Sequence, residues 1–349
     1  MFNIKDKIIT FVVMKLLRKI LFPIVPIYYV VTWMRNWFYD LGIFKSKSYT
    51  MPIICVGNLS TGGTGKSPMI ELLIRLLKDS YKVATLSRGY KRETEGFRLA
   101  NQLDTAKTLG DEPFQFFSKF YKNVQVAVDS NRQRGIENLI NLSEKPDVIL
   151  LDDAFQHRKV KAGFNILLTT YQDLYADDWV LPTGNLREPK QGAKRAQLIV
   201  VTKCPNNISD SEKEGIVLKL KPEANQKVFF STIDYSEDVF SEETSRALLS
   251  LEPFTLVTGI ANANPLVLHL KNKGLQFEHL DFPDHHAFTD ADIARLKHRE
   301  LLLTTEKDFM RLKGFESLRE KLFYLPIKAT VHEHEIFKNH VMNYVESGN

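Results

Sequence analysis

A chain of 349 residues with 44% hydrophobic and 26% charged residues has the composition of a globular protein with a real core, long enough for about two domains. The net charge of +5 is mild, and no nucleic-acid partner is expected from it. The two cysteines, Cys55 and Cys204, sit in or beside apolar runs, which argues against a disulfide framework or a zinc cluster and suits a reducing compartment.

The first 45 residues differ from the rest. Over Ile8–Leu21 the spacing predicts an amphipathic helix, with Ile9, Val12, Val13, Leu16, Leu17 and Ile20 on one face and Lys7, Lys15, Arg18 and Lys19 on the other. The longest uncharged run, Ile20–Met34, has 15 residues and contains Pro23 and Pro26, whereas a spanning helix needs about 20 unbroken apolar residues. A helix lying in the membrane interface fits better. Tyr28, Tyr29, Trp33, Trp37 and Tyr39 follow, residue types that settle at headgroup depth.

From Met51 short apolar runs alternate with amphipathic ones. Buried strands are predicted at Ile53–Gly57, Lys82–Ser87, Val124–Asp129, Val148–Asp152, Asn165–Thr170 and Leu198–Thr202, with helices near 68–79, 113–121 and 131–142. This alternation predicts an α/β fold, a parallel sheet with helices on both faces. A charged, turn-rich stretch around 205–250 reads as a boundary. A smaller α/β set follows at Phe254–Gly259, Phe277–Phe282, Leu301–Thr305 and Leu322–Ala329. The expected layout is a membrane-associating segment over 1–45, a nucleotide-binding core over 46–225 and a smaller C-terminal lobe over 226–349, with a cleft between the lobes.

Strand Ile53–Gly57 runs into Thr61-Gly62-Gly63-Thr64-Gly65-Lys66-Ser67-Pro68. Glycines at these positions let backbone N–H groups converge on phosphate oxygens. Lys66 can reach the β and γ phosphates, Ser67 can ligate Mg²⁺, and the following helix adds its positive end. Ser60 stands where the usual P-loop template has its first glycine. The Gly-Gly-x-Gly-Lys-Ser form resembles the variant loop of a P-loop NTPase branch rich in kinases and ATPases.

Further acids complete a candidate site. Val148–Asp152 reads as a buried strand delivering Asp152 and Asp153 to a metal shell, with strand-end capping as the bland alternative. Asp111 in Gly110-Asp111-Glu112-Pro113 could cap a helix or act as a general base. Asp284-His285-His286 puts an acid beside two imidazoles. His332 and His334 read as surface residues on one strand face. Val201-Thr202-Lys203-Cys204-Pro205 lacks the acid that guanine recognition needs after the lysine, so ATP is favoured over GTP.

Together these residues resemble the tetraacyldisaccharide 4'-kinase family. The matching elements are Gly57-Asn58-Leu59 with the loop 62–68, Ser87-Arg88-Gly89-Tyr90, Gly110–Pro113, Asp152-Asp153-Ala154-Phe155-Gln156-His157-Arg158, Leu181–Pro189, Phe282–His286 and Thr305-Glu306-Lys307-Asp308. Ala154 departs from a frequent glycine. The resemblance implies transfer of the γ-phosphate of ATP, with Mg²⁺, to the 4'-hydroxyl of a tetraacylated glucosamine disaccharide 1-phosphate at the cytosolic face of the bacterial inner membrane. It also implies that Asp111 works with His285, while Lys66 and Asp153 join them at the reacting phosphate. Arg88, Arg158 and Arg187 are candidates for the substrate 1-phosphate or the transition state. A transport or partition ATPase of the same branch, and a nucleotide-controlled membrane regulator, are the alternatives.

Overall fold

The computed structural model describes residues 20–348. The helix expected over Ile8–Leu21 lies, up to residue 19, outside the described residues. After a single 3-10 turn at Phe22–Ile24, helix α1 covers Val25–Asp40. Pro23 and Pro26 fall in first-turn positions, where the missing N–H has no partner to lose and the fixed φ suits the helix, so they start it rather than break it. Only Val25 and Asn36 of α1 are buried. Ile27, Val30, Val31, Trp33 and Trp37 stay exposed, and the two indoles stack with centroids 5.8 Å apart. Among the described residues no helix is long and apolar enough to cross a membrane.

The predicted alternation follows. Strand β1 (Ile53–Asn58) leads into α2 (Lys66–Leu77), then β2 (Val83–Ser87), the short β3 (Arg98–Leu99), α3 (Ala106–Leu109), α4 (Asp111–Phe120), β4 (Val124–Val128) and α5 (Arg132–Ile140). Next come β5 (Val148–Asp152), β6 (Phe164–Thr170) and β7 (Leu198–Thr202). Every residue of β1, β2, β5 and β7 is buried, as strands covered on both faces require. The charged stretch after 205 is more structured than its composition suggests, holding α6 (Asp210–Leu220), β8 (Lys227–Tyr235) and the small pair β9 (Asp238–Phe240) and β10 (Ser245–Ala247). Ser209 caps α6: its hydroxyl accepts from the Glu212 N–H, and the Glu212 carboxylate accepts from the Ser209 N–H at 2.9 Å.

The C-terminal third carries β11 (Phe254–Thr258), α7 (Asn264–Asn272), β12 (Phe277–Asp281), α8 (Asp290–Lys297), β13 (Leu302–Thr305) and α9 (Glu306–Leu312). It ends with β14 (Leu322–Leu325), β15 (Ile327–Val331) and α10 (His334–Ser347). The strand expected over Leu322–Ala329 is cut at Pro326, which has no N–H to give a ladder. His334 opens α10 instead of sharing a strand face with His332.

Contacts group the chain into two units that interleave in sequence. The first comprises the residues up to Lys66, Asp147–Thr232 and the segment from Val331; the second comprises Ser67–Pro146 and Ile233–Thr330. In the first, β8, β7, β6, β1 and β5 lie side by side and all parallel, with Val56 opposite Asp152 and Asn58 opposite Leu168. Tyr344 of α10 stacks on Phe164 at 4.9 Å and its hydroxyl accepts from the Ile53 N–H.

In the second unit β2 and β4 pair in parallel, with β3 antiparallel to β4. A six-stranded sheet in the order β10-β9-β14-β13-β11-β12 completes it. Leu109, Phe114 and Val128 from its earlier segment pack in one core with Leu280, Leu296 and Phe309 from its later one. That shared core is why the segment after Ser67 groups with the C-terminal residues, where consecutive borders near 45 and 225 were expected.

Candidate active site

In the first unit the sequence between β1 and α2 forms a tight turn held from outside. Gly62 (φ 108°) and Gly65 (φ 88°) adopt backbone that a side chain would strain. Asn58 Nδ2 donates to Thr64 Oγ1 at 2.9 Å, Thr202 Oγ1 donates to the Thr64 carbonyl at 2.8 Å, and Lys203 Nζ to the Gly63 carbonyl at 2.6 Å. Thr61 N–H reaches the Asn185 carbonyl and Arg187 N–H the Leu59 carbonyl. Thr61, Gly62 and Gly63 remain exposed while Thr64 and Ser67 are buried. The turn is thus rigid beneath and open above.

Asp152 is buried as the last residue of β5. Asp153 lies just beyond it in the left-handed region (φ 47°), a strained conformation for a non-glycine residue that turns its carboxylate toward two cations. Lys66 Nζ is 3.7 Å from Asp153 Oδ1, and Arg187 Nη1 is 3.1 and 3.2 Å from the two oxygens. Gln156 ties this corner to β1 through the Asn58 carbonyl (2.8 Å) and to buried Glu188 (2.9 Å). Phe155 sits so close to Gly57 that a Cβ there would lie 2.6 Å from its own.

Helix α1 is bound to the same corner. Asn36 Nδ2 donates to Glu188, Arg35 to the Gln156 carbonyl at 2.8 Å, and the Tyr28 hydroxyl to the Arg187 carbonyl at 2.9 Å. Arg158 is committed to α1: it donates to the Asn36 carbonyl (2.8 Å) and Asp40 (2.7 Å) and stacks on Tyr39.

In the second unit Asp111 opens α4, after Gly110 at φ 95°. A Cβ on Gly110 would lie 3.1 Å from the Tyr90 carbonyl, so glycine is needed twice over. Asp111 Oδ2 faces His285 Nδ1 at 3.1 Å and accepts from Arg311 Nε at 2.9 Å and Arg311 Nη2 at 2.5 Å. The expectation that His285 reaches Asp111 from a different lobe is corrected here, since both belong to one compact unit. His285 also has positive φ (57°), with its N–H bonded to the Gly259 carbonyl and the Tyr90 ring edge-on to its imidazole. His286 instead bonds Asp292 (3.0 Å) and stacks on Phe282.

Beside Asp111, Glu112 pairs with Lys307 at 2.6 Å. Burial alone would raise the Glu112 pKa, but the Lys307 ammonium overrides it and holds the carboxyl at about 2. Burial raises the pKa of Asp308, whose oxygens accept from Gly259 N–H, Thr305 Oγ1 and Arg311. Lys66, Thr61–Gly65, Asp152 and Asp153 therefore belong to one unit and Asp111 and His285 to the other, with Ser67 the first residue of the second unit. Arg311 was not anticipated; its only sequence signal is its place three residues after Asp308 on a short helix.

A buttressed glycine turn between a buried parallel strand and a helix, with acids ending a neighbouring strand, makes this an α/β protein of the P-loop NTPase type. The chain belongs to the tetraacyldisaccharide-1-P 4'-kinase family, whose profile matches residues 17–346. It is 53% identical over 336 residues to tetraacyldisaccharide 4'-kinase of Flavobacterium johnsoniae, covering 95% of this chain and 96% of that one. It is 50% identical over 343 residues to the Flavobacterium psychrophilum protein of the same name, covering 96% and 98%. Its fold is similar to the crystal structure of LpxK from Aquifex aeolicus in complex with ATP, with a TM-score of 0.76 and 31% identity over 94% of this chain and 99% of that one.

Proposed function

We propose that the protein transfers the γ-phosphate of ATP to the 4'-hydroxyl of a tetraacylated glucosamine disaccharide 1-phosphate, a step of lipid A biosynthesis. Family membership along nearly the whole chain supports the substrate class, and the observation that carries the chemistry is the braced turn over Thr61–Ser67. A Cβ added at Gly62 would meet nothing within 4 Å, so the space above the turn suits phosphate oxygens approaching backbone N–H groups. The N-terminus of α2 favours the same negative charge.

Ser67, Asp152 and Asp153 would hold Mg²⁺. Their hard oxygen donors fit an ion that takes one or two carboxylates and leaves its other positions to phosphate and water. When bound, the ion neutralises charge on the β and γ oxygens. Lys66 would bind the terminal phosphates, its ammonium facing Asp153, whose carboxylate Arg187 holds in turn. Asp111, beside His285, would accept the proton of the attacking hydroxyl. That hydroxyl oxygen forms the new bond to phosphorus as the bond to the bridging oxygen breaks and its electron pair leaves with ADP.

A four-chain lipid stays in its leaflet, so the enzyme must meet it there. The exposed apolar side chains of 20–44, with Trp33 and Trp37 stacked among them, support docking on the cytoplasmic face of the inner membrane. The test of the kinase reading is ADP release at saturating ATP, with and without the lipid acceptor in detergent. Release that needs the acceptor and is lost in Lys66→Met is the expected result. Release at the same rate without acceptor would favour an ATPase instead.

A further inference from the structure

The carboxylate of Asp111 is held unevenly. Its Oδ2 takes two hydrogen bonds from Arg311 and lies 3.1 Å from His285 Nδ1. Its Oδ1 has no hydrogen bond among the described residues, although the side chain is 19% exposed and so within reach of a ligand. One oxygen is gripped and the other is left for an incoming group.

The grip itself is anchored. Arg311 Nη1 donates to Asp308 Oδ1 at 2.9 Å and to the Gly259 carbonyl at 3.2 Å. Asp308 is fully buried, and its Oδ2 accepts from Gly259 N–H (2.9 Å) and Thr305 Oγ1 (2.7 Å). The guanidinium is thereby clamped between two carboxylates, that of Asp308 one turn earlier on α9 and that of Asp111 at the start of α4. Its planar fork, always charged, sets both the plane and the direction of the Asp111 carboxylate. Burial would lower the Arg311 pKa, but Asp111 and Asp308 raise it above the ordinary value, so the cation persists at every working pH.

His285 makes the weaker hold. It offers one nitrogen, and that nitrogen lies 3.1 Å from Arg311 Nη2 as well as from Asp111. Nδ1 can donate to the carboxylate or accept from the guanidinium, but not both at once. Arg311 has no such conflict.

We propose that Arg311 is a positioning residue for the transfer: it fixes Asp111 through Oδ2 and leaves Oδ1 as the atom that takes the hydroxyl proton. This rests on the reading of Asp111 as the base. The O–H bond of the acceptor breaks, an O–H bond forms at Oδ1, and the freed pair on the acceptor oxygen becomes the new P–O bond as the bond from that phosphorus to the bridging oxygen breaks and its pair leaves with ADP.

The test is a double-mutant cycle on kcat, with KM for ATP measured alongside, using the lipid acceptor in detergent. Arg311→Gln lowers kcat by about 10- to 100-fold while KM for ATP moves by less than about twofold. Asp111→Asn lowers kcat by about 10²–10⁴-fold. In the Asp111→Asn background Arg311→Gln then costs no more than about threefold, because its partner's function is already gone. If the Gln variant does not fold, Arg311→Lys enters the same cycle; it keeps the charge, loses the fork, and lowers kcat about tenfold. An equal loss from the Arg311 change in both backgrounds, or no loss in the parent, overturns the inference and leaves Asp111 as base. An unchanged kcat in Asp111→Asn removes the base itself, and the role of Arg311 with it.

Discussion

Replacing Lys119 by methionine takes an ammonium from between two buried carboxylates. Lys119 Nζ lies 2.7 Å from Glu71 Oε2 and 2.5 Å from Glu306 Oε1, joining α2, α4 and α9 within one unit. Glu71 keeps Arg75 (2.8 Å) and Gln115 (2.8 Å), so the loss falls on Glu306, whose side chain is only 5% exposed. Burial, and then the charge of Glu71, already raise the Glu306 pKa from 4.5. Without Lys119 the carboxyl takes up a proton rather than stay charged in the interior. At pH 7.5 that uptake costs at most about 4 kcal/mol, three units above its ordinary value, and at pH 5.0 about 1 kcal/mol or less. A raised carboxyl pKa stabilises the fold fully below 4.5 and loses that contribution as pH rises, so the penalty must grow with pH. Urea unfolding followed by circular dichroism measures it; tryptophan fluorescence would not, because Trp33, Trp37 and Trp179 all lie outside this unit. A loss below about 1 kcal/mol at pH 7.5 would refute the reasoning, as would the same loss at both pH values.

Glu112 gives the opposite pH dependence: its pKa, lowered to about 2, stabilises the fold above pH 4.5 and stops doing so as pH falls toward 2. Lys307→Met should therefore remove about 2 kcal/mol at pH 7, discounted for partial exposure of the pair, with the difference closing as pH falls from 4.5 to about 2 in denaturant titrations. Gly57→Ala should destabilise by at least about 1–3 kcal/mol, since its Cβ would sit 2.6 Å from that of Phe155; a melting temperature equal to the parent's would contradict that packing. Replacing both Trp33 and Trp37 by alanine should weaken flotation with anionic phospholipid vesicles while ADP release on a detergent-dispersed acceptor persists. Equal flotation of parent and variant would count against docking through α1.

The turn and its flanks were legible because everything needed to form them is local: an apolar strand, glycines at fixed offsets, a lysine and a helix start. The parallel strands were legible for a related reason, each being a short apolar run buried on both faces. Helix α6 was missed because only Ile216 and Leu220 are buried and its charges mask any periodicity, although the Ser209–Glu212 cap was there to find. Pro23 and Pro26 read as breaks in the apolar run, yet Pro26 lies in the first turn of α1, because proline marks a helix start and a helix break alike. Asp111 and Arg311 lie 200 residues apart, and no spacing rule links positions that meet only through a shared core. The same core puts His285 beside Asp111 in one unit, a grouping that consecutive domain borders could not express.

The bonds from α1 to the corner around Glu188 and Gln156 bear on how a shortened protein should be judged. Deleting the first 45 residues to improve handling would strip Asn36 from a carboxylate that is 1% exposed and Arg35 from the Gln156 carbonyl. Glu188 would keep Arg195 and Gln156 but lose a third donor, and Arg158 would be left without Asp40, Asn36 and the face of Tyr39. An inactive truncation would then report damage to the corner that holds Asp153, whatever the lipid requirement. Point changes on the outward face of α1 are the cleaner way to separate lipid contact from catalysis.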